Sequence, residues 1–86
     1  MFNGIIYKTG TIIKIDKRKN GINLFLRTEL KLSKNNIGMS ISCDGVCLTL
    51  ISCKRGIIEF FLSKETLNRS KFKKIKKGEK INLETP

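Results

Sequence analysis

Short runs rich in β-branched and aromatic residues, separated by turn-forming residues, make up most of the chain. Residues 22–30 show the pattern well, because Ile22, Leu24 and Leu26 occupy alternate positions, as they do in a strand with one buried face. Strands are predicted on the same grounds at residues 2–8, 11–16, 22–30, 39–43, 46–53, 57–62 and 81–83. Thr9-Gly10 is predicted to separate the first two. Short strands at this spacing predict an all-β antiparallel barrel or sandwich, and a closed barrel leaves the fewest strand edges exposed.

Two segments near the end of the chain depart from a simple alternation. Residues 57–62 form a nearly continuous apolar run, which predicts a strand buried on both faces. Ser63 is a good N-cap for a short helix through Arg69, which we expect to cover one end of the barrel. Residues 71–80 contain six lysines with Phe72 and Ile75 as apolar anchors, so we predict a solvated connection there.

The strongest local signal is Asp44-Gly45, which predicts a two-residue hairpin turn because both residue types tolerate positive φ. The turn fixes the register: Cys43 pairs with Val46, Ser42 with Cys47, Ile41 with Leu48 and Ser40 with Thr49. Cross-strand partners share a face. The core face then consists of apolar residues and one thiol, namely Met39, Ile41, Cys43, Val46, Leu48 and Leu50.

The other face of this hairpin carries only small hydroxyl and thiol groups, on Ser40, Ser42, Cys47 and Thr49. Elsewhere the chain covers its predicted solvent side with lysine. Two interpretations remain open at this point. The face is either an ordinary polar strand surface or one wall of a pocket for a flat, polar ligand, since pockets combine apolar lining with a few placed polar groups.

Length and cysteine content limit the classes of protein and of site. Eighty-six residues suffice for one small domain, and no apolar run approaches the length of about 20 residues that a membrane helix needs. The first residues lack the features of a signal peptide. The chain has three cysteines in no zinc-binding pattern and no histidine, which excludes a histidine-based triad and argues against a metal site. Reduced thiols indicate a cytoplasmic protein.

A net charge of +11 raises the hypothesis of nucleic-acid binding. The details weaken it. Only four of the eighteen basic residues are arginine, the side chain best suited to base recognition. The lysine-rich segment also has almost no aromatic residues on which bases could stack.

Several short motifs resemble one known family. They are Met1-Phe2 followed by Gly4-Ile5-Ile6, then Gly38 with Ser40-Ile41, Asp44-Gly45-Val46-Cys47-Leu48-Thr49, Ser63 with Glu65-Thr66-Leu67, and Asn82-Leu83-Glu84. In this order and spacing they resemble the N-terminal lumazine-binding repeat of riboflavin synthase. The resemblance covers essentially all 86 residues as a single repeat.

The resemblance implies a six-stranded antiparallel Greek-key barrel with one short helix, and a second barrel following in tandem. It implies a dismutation in which one 6,7-dimethyl-8-ribityllumazine gives four carbons to another, forming riboflavin and a ribitylamino-pyrimidinedione without metal or cofactor. In that family the active site lies between the N-terminal barrel of one subunit and the C-terminal barrel of a neighbour in a homotrimer. An isolated barrel is expected to bind lumazine or riboflavin, to catalyse poorly and to form a homodimer.

Carried over by motif, the ligand contacts are Gly4, Ile5, Ile6, Cys47, Leu48, Thr49, Phe61, Leu62, Ser63, Lys64, Glu65 and Thr66. Ser40 and Cys47 match positions near the reacting ring and are the expected catalytic residues. Thr49 and Thr66 are expected to hydrogen-bond the ring edge or the ribityl chain, and Ile6 and Leu62 to sandwich the ring. Free N–H groups at the start of the helix suit ring carbonyls.

Each assignment has a structural alternative. At least two of Ile5, Ile6, Leu48 and Leu62 are expected to be core residues. Glu65 would then serve only the helix dipole. Phe61 is bulkier than the family's usual residue, and Asn3 stands where the family has threonine. Two other functions also remain as hypotheses: a non-catalytic lumazine or flavin carrier, and a basic small-barrel nucleic-acid binder.

Overall fold

A computed structural model describes residues 6–85 of the chain, with side chains from residue 8 onward. The predicted contacts at Gly4 and Ile5 lie outside the described residues, as does the side chain of Ile6. Six strands account for most of the fold: β1 (Ile6–Arg18), β2 (Gly21–Thr28), β3 (Ser40–Cys43), β4 (Val46–Lys54), β5 (Ile57–Ser63) and β6 (Lys80–Thr85). One short helix, α1 (Lys64–Asn68), and two 3-10 turns, Lys34–Asn36 and Lys71–Lys74, complete it.

The strands form a closed barrel in the order β1-β2-β5-β4-β3-β6, and every pair is antiparallel. The meander β3-β4-β5 returns to pair with β2, which is a Greek-key connection. The predicted all-β antiparallel barrel is therefore confirmed. In this order β1 and β4 are three strands apart in either direction, so they stand on opposite sides of the barrel.

Alternate residues of each strand point into the barrel and fill it. The interior side chains are Ile12, Ile22, Leu24, Leu26, Ile41, Cys43, Leu48, Leu50, Ile58, Phe60, Leu62, Ile81 and Leu83, each at most 8% exposed. The prediction that β5 is buried on both faces is wrong. Ile58, Phe60 and Leu62 are buried, but Phe61 is 40% exposed, because the outer face of a single-layered barrel meets solvent.

The predicted break at Thr9-Gly10 is also wrong, since β1 runs through it without interruption. Gly10 pairs with Thr28 on one side and Ile81 on the other. A Cβ atom at this position would lie 3.2 Å from Cδ1 of Leu83 and 3.3 Å from Cβ of Leu26. The glycine thus permits close packing inside the barrel, and the strand bends instead at a bulge between Ile12 and Lys14.

The β3–β4 hairpin has the predicted register, with Ser40 opposite Thr49 and Ser42 opposite Cys47. Asp44 and Gly45 form its turn with φ of 50° and 87°. At the β1–β2 turn, Asn20-Gly21 resembles a second hairpin signal of this kind, but the two residues are not the loop. The two loop residues are Lys19 and Asn20, and Gly21 already belongs to β2, opposite Arg18.

The segment after β5 covers one end of the barrel, as predicted. Ser63 caps α1 by accepting a hydrogen bond from the backbone N–H of Thr66, and Leu67 packs against the core. Phe72, in the following 3-10 turn, is only 1% exposed and closes this end of the barrel interior. Within residues 6–85, no helix is long and apolar enough to span a lipid bilayer.

Candidate functional site

The outer face of the β3–β4 hairpin brings the predicted polar residues together. Ser40 and Thr49 are direct cross-strand partners, and Ser42 and Cys47 form the next pair on the same face. Ser40, Cys47 and Thr49 are exposed, whereas Ser42 is half-buried. Ser40 and Cys47 are therefore diagonal neighbours on this face. Diagonal neighbours on paired strands are about 7–8 Å apart, so both residues can contact one ligand at the same time.

Phe61 supplies an exposed aromatic ring on the neighbouring strand, β5. The β4–β5 pairing places Leu50 opposite Phe60, both pointing inward. Thr49 and Phe61, one residue away on each strand, therefore both point outward. The ring of Phe61 is 40% exposed and leans toward β2, where its Cζ lies 3.0 Å from the position of a Cβ at Gly21. An exposed ring for stacking and nearby hydroxyl groups for edge hydrogen bonds are what a flat heterocyclic ligand uses.

The passage from β5 into α1 borders the same surface, but its backbone donors are fewer than predicted. The N–H of Thr66 donates to Ser63 Oγ at 3.2 Å, and the N–H of Lys64 donates to the carbonyl of Asn20 at 3.1 Å. These two groups are thus already used within the barrel. Ser63 and Thr66 also join through their hydroxyls at 3.2 Å. What this segment offers a ligand is chiefly side-chain oxygen.

Glu65 and Lys64 lie on the exposed side of α1. The carboxylate of Glu65 lies 3.6 Å from Nη2 of Arg69, one turn further along the helix. Its place in the first turn also suits the helix dipole. Within this chain the contacts of Glu65 are to its own helix, and its predicted ligand contact stays a prediction.

Three of the predicted ligand-contact residues do not belong to the outer face of β3 and β4. The side chains of Leu48 and Leu62 are 4% and 1% exposed and fill the barrel, so Leu62 does not face a ring on the outer surface. The expectation that at least two of the four predicted apolar contacts belong to the core is confirmed. Ile6 pairs with Thr85 at the start of β1, on the side of the barrel opposite β4. The backbone positions of Ile6 and Cys47 are thus three strands apart on the barrel wall.

An ion pair that the sequence pattern did not predict holds the hairpin in place. Nζ of Lys71 lies 2.6 Å from Oδ2 of Asp44, and the backbone N–H of Asn82 donates to Oδ1 at 2.7 Å. Partial burial raises the pKa of Asp44, but the hydrogen bonds from Lys71 and Asn82 and the charge of Lys71 outweigh it, so the pKa lies below its ordinary value. The turn is thereby tied to both β6 and the 3-10 turn after α1.

A second unpredicted group lies on the outer face of β5. Glu59 accepts hydrogen bonds from Nδ2 of Asn23 and from Oγ of Ser52, the latter at 2.8 Å. Asn23 is also the cross-strand partner of Phe61. The network therefore joins three strands beside the exposed ring. A glutamate within an apolar run was the only sequence signal for it.

The three cysteines have distinct environments. Cys47 is exposed on the polar face, Cys53 is half-buried, and Cys43 is buried in the barrel. Burial raises the pKa of Cys43 to about 12, with further contributions from the negative charge of Asp44 and from Cys47. Only Cys47 therefore presents an accessible thiol at the candidate site. The described residues contain no cluster of three or more potential metal-ligating side chains.

Comparison with known proteins places these features in a family. The profile of the Lumazine binding domain matches residues 3–86. Among curated relatives, the riboflavin synthase of Buchnera aphidicola subsp. Baizongia pistaciae is 39% identical over 85 residues, that of Chlamydia pneumoniae 35% over 85 and that of Bacillus subtilis 32% over 84. Each alignment covers 98% of this chain but 39–42% of the relative. The chain thus spans about two fifths of the length of these relatives, and it belongs to the lumazine-binding domain family.

Proposed function

We propose that this chain binds 6,7-dimethyl-8-ribityllumazine and riboflavin on the outer face of β3 and β4, as one lumazine-binding barrel of a riboflavin synthase. The observation that carries the proposal is the pairing of Ser40 with Thr49 and of Ser42 with Cys47 on one outer face, with the exposed ring of Phe61 on the next strand. Small hydrogen-bonding groups on one face suit a heterocycle with polar edges and a hydroxylated side chain.

In this proposal each side chain has a separate task. The ring of Phe61 stacks against the lumazine, and the hydroxyls of Thr49 and Thr66 hydrogen-bond its edge or its ribityl chain. Ser40 and Cys47 lie closest to the reacting part of the ring. The remaining contribution of Leu48 and Leu62 is their backbone, since their side chains are buried.

The proposed reaction transfers four carbons between two lumazine molecules, so two bound ligands must meet. The face on β3 and β4 is open to solvent and accommodates one of them. We therefore propose that catalysis requires a second barrel, supplied by a trimeric full-length enzyme or, more weakly, by a second copy of this chain in a homodimer. Ile6, on the far side of the barrel, would contact a ligand held by such a partner. The proposed reaction draws on no metal or cofactor.

The binding step is tested by titrating the protein into riboflavin and into the lumazine while following ligand fluorescence. We expect quenching with both. Thr49→Val should weaken binding about fivefold, because it removes a hydrogen bond worth about 1 kcal/mol. Thr11→Val is the matched control, since Thr11 lies on β1 at the opposite side of the barrel, and it should leave binding unchanged.

The outcomes distinguish the alternatives. Unchanged fluorescence with both ligands would refute the proposal, and salt-dependent binding of an oligonucleotide in its place would favour the nucleic-acid hypothesis. Appreciable riboflavin formation by the monomeric chain would contradict the requirement for a second barrel. Tight binding in an oligomer that never forms riboflavin would identify a carrier.

A further inference from the structure

A cavity of about 590 Å³ opens at the end of the barrel where β1 ends, β2 begins and α1 crosses. It is separate from the face on β3 and β4, because Ser40, Cys47 and Thr49 do not line it. Lys64 is the only residue that it shares with the proposed lumazine site. Its volume falls within the range typical of small-molecule sites, and barrel mouths are a common place for them.

The inner part of the cavity is apolar. Ile22 and Phe72, which are 8% and 1% exposed, form its floor at the end of the core. Ile15, Leu67 and Ile75 are half-buried and line its walls from β1, α1 and the lysine-rich segment. A ligand that fits here must have an apolar body that displaces water from these side chains.

The rim of the cavity is positively charged. Its charged lining residues are all basic: Lys17, Arg18, Lys64 and Lys73. Lys17 pairs with Ile22 and so lies on the same face, next to the apolar floor. Two described carboxylates belong to neighbouring positions: Asp16, which lies 3.8 Å from Nη2 of Arg18 and 3.4 Å from Nζ of Lys14, and Glu65, which follows Lys64 on α1 and lies 3.6 Å from Nη2 of Arg69. Four cations against two carboxylates leave a positive balance at the mouth.

We propose that this cavity binds a small amphipathic anion, with a flat or short-chain apolar body in the pocket and a carboxylate, sulfonate or phosphate at the rim. A single-stranded nucleic acid would require exposed aromatic rings for stacking, and Phe72 is buried. A membrane surface would require apolar side chains that project beyond the cations, whereas here they lie beneath them. The site is independent of the lumazine-binding face.

The test compares two probes of similar size, naphthalene-1-sulfonate and its neutral analogue 1-naphthalenemethanol. Their fluorescence can be followed directly, because the chain has no tryptophan and one tyrosine. At low salt we expect the sulfonate to bind at least about tenfold more tightly than the alcohol. The difference should shrink as salt is added, since exposed charges are screened within about 10 Å at 0.1 M. Amide NMR shifts should centre on Ile15, Leu67 and Ile75.

Charge-reversal variants locate the site. Lys17→Glu combined with Lys73→Glu should weaken sulfonate binding at least about tenfold while riboflavin binding is retained. The matched control is Lys31→Glu with Lys34→Glu, which makes the same change of charge in the segment after β2, away from the cavity. It should alter binding less than twofold. Amide spectra of both variants establish that the barrel is intact.

Three results would overturn the proposal: equal affinity for the two probes, an equal loss in both double variants, or shifts confined to residues outside the cavity. Tighter binding of an oligothymidine or of phosphatidylglycerol vesicles, abolished by the same two lysine changes, would assign the basic rim to a macromolecular partner instead. Loss of riboflavin binding with retained sulfonate binding would contradict only the proposed riboflavin site and would still support the anion site in the cavity.

Discussion

Asp44, at the tip of the β3–β4 hairpin, is joined to Lys71 by a contact of 2.6 Å between Oδ2 and Nζ, although the two residues are far apart in the sequence. The side chain of Asp44 is 15% exposed and that of Lys71 is 45% exposed. The same carboxylate accepts the N–H of Asn82. One side chain thus connects the turn that presents Cys47 to both the last strand and the segment beyond α1.

Two substitutions of Asp44 distinguish its ion pair with Lys71 from its hydrogen bond with Asn82. Asp44→Asn keeps an oxygen for Asn82 and a residue that tolerates positive φ, so it removes only the ion pair. We expect it to lower the free energy of unfolding by about 1 kcal/mol or less. Asp44→Ala also removes the hydrogen bond and strains the turn, and we expect a loss of about 2–3 kcal/mol. Urea unfolding measures both, and equal losses would contradict this division.

The ion pair also predicts a dependence of stability on pH. The pKa of Asp44 is lowered in the folded chain, so its contribution is fully present above the ordinary pKa of 3.8 and is lost as pH falls through the lower folded value. The stability difference between the parent protein and Asp44→Asn should therefore be constant near pH 6 and shrink below about pH 4. Lys71→Gln breaks the same pair and should converge in the same way. A difference that persists at pH 2 would show that the ion pair is not its source.

The three thiols should react in a fixed order. Alkylation requires the thiolate and access to it. Treatment of the folded protein with iodoacetamide at pH 8, followed by peptide mass spectrometry, should label Cys47 first and Cys53 more slowly. Cys43 should react only in denaturant, because it is buried and its pKa is raised to about 12. Riboflavin should protect Cys47 but not Cys53, and protection of both would place the ligand elsewhere.

Gly21, the first residue of β2, and Gly45, in the β3–β4 turn, should differ in their tolerance of a side chain. A Cβ at Gly21 would lie 2.0 Å from the carbonyl oxygen of Leu62, whereas nothing lies within 4 Å of one at Gly45. Gly45→Ala should cost only the strain of positive φ, about 1 kcal/mol. Gly21→Ala must displace the β5 backbone, and we expect about 3 kcal/mol or failure to fold. Similar midpoints of thermal unfolding for the two variants would contradict this ranking.

Most of the architecture follows from local patterns that the sequence displays directly. The register of the β3–β4 hairpin was predictable because Asp44-Gly45 fixes the loop length and the alternation fixes the faces. The continuity of β1 was not, since the effect of Gly10 depends on Leu26 and Leu83, which come from other strands. The burial of only one face of β5 could not be deduced from its apolar run, because apolar residues such as Phe61 can also lie on the outer face of a barrel.

The candidate site was likewise predictable from the sequence only in part. Ser40, Cys47 and Thr49 were placed on one face by spacing alone, and the structure agrees. The Asp44–Lys71 pair and the Glu59 network were missed because they join residues from different strands or segments, and no periodic pattern encodes such partners. The separation of Ile6 from Cys47 depends on the strand order, which local spacing does not determine.

The position of β1 between β2 and β6 affects how the barrel assembles. Gly10 pairs with Ile81, so the last seam of the cylinder joins segments about 70 residues apart. During synthesis β1 and β2 can pair early, but β1 keeps one open edge until β6 has left the ribosome. Closing so distant a contact is slow, and an unpaired strand edge attracts other chains in the meantime. The yield of folded protein in cells should therefore depend on how fast β6 is synthesised and on chaperones that bind the open edge of β1 until then.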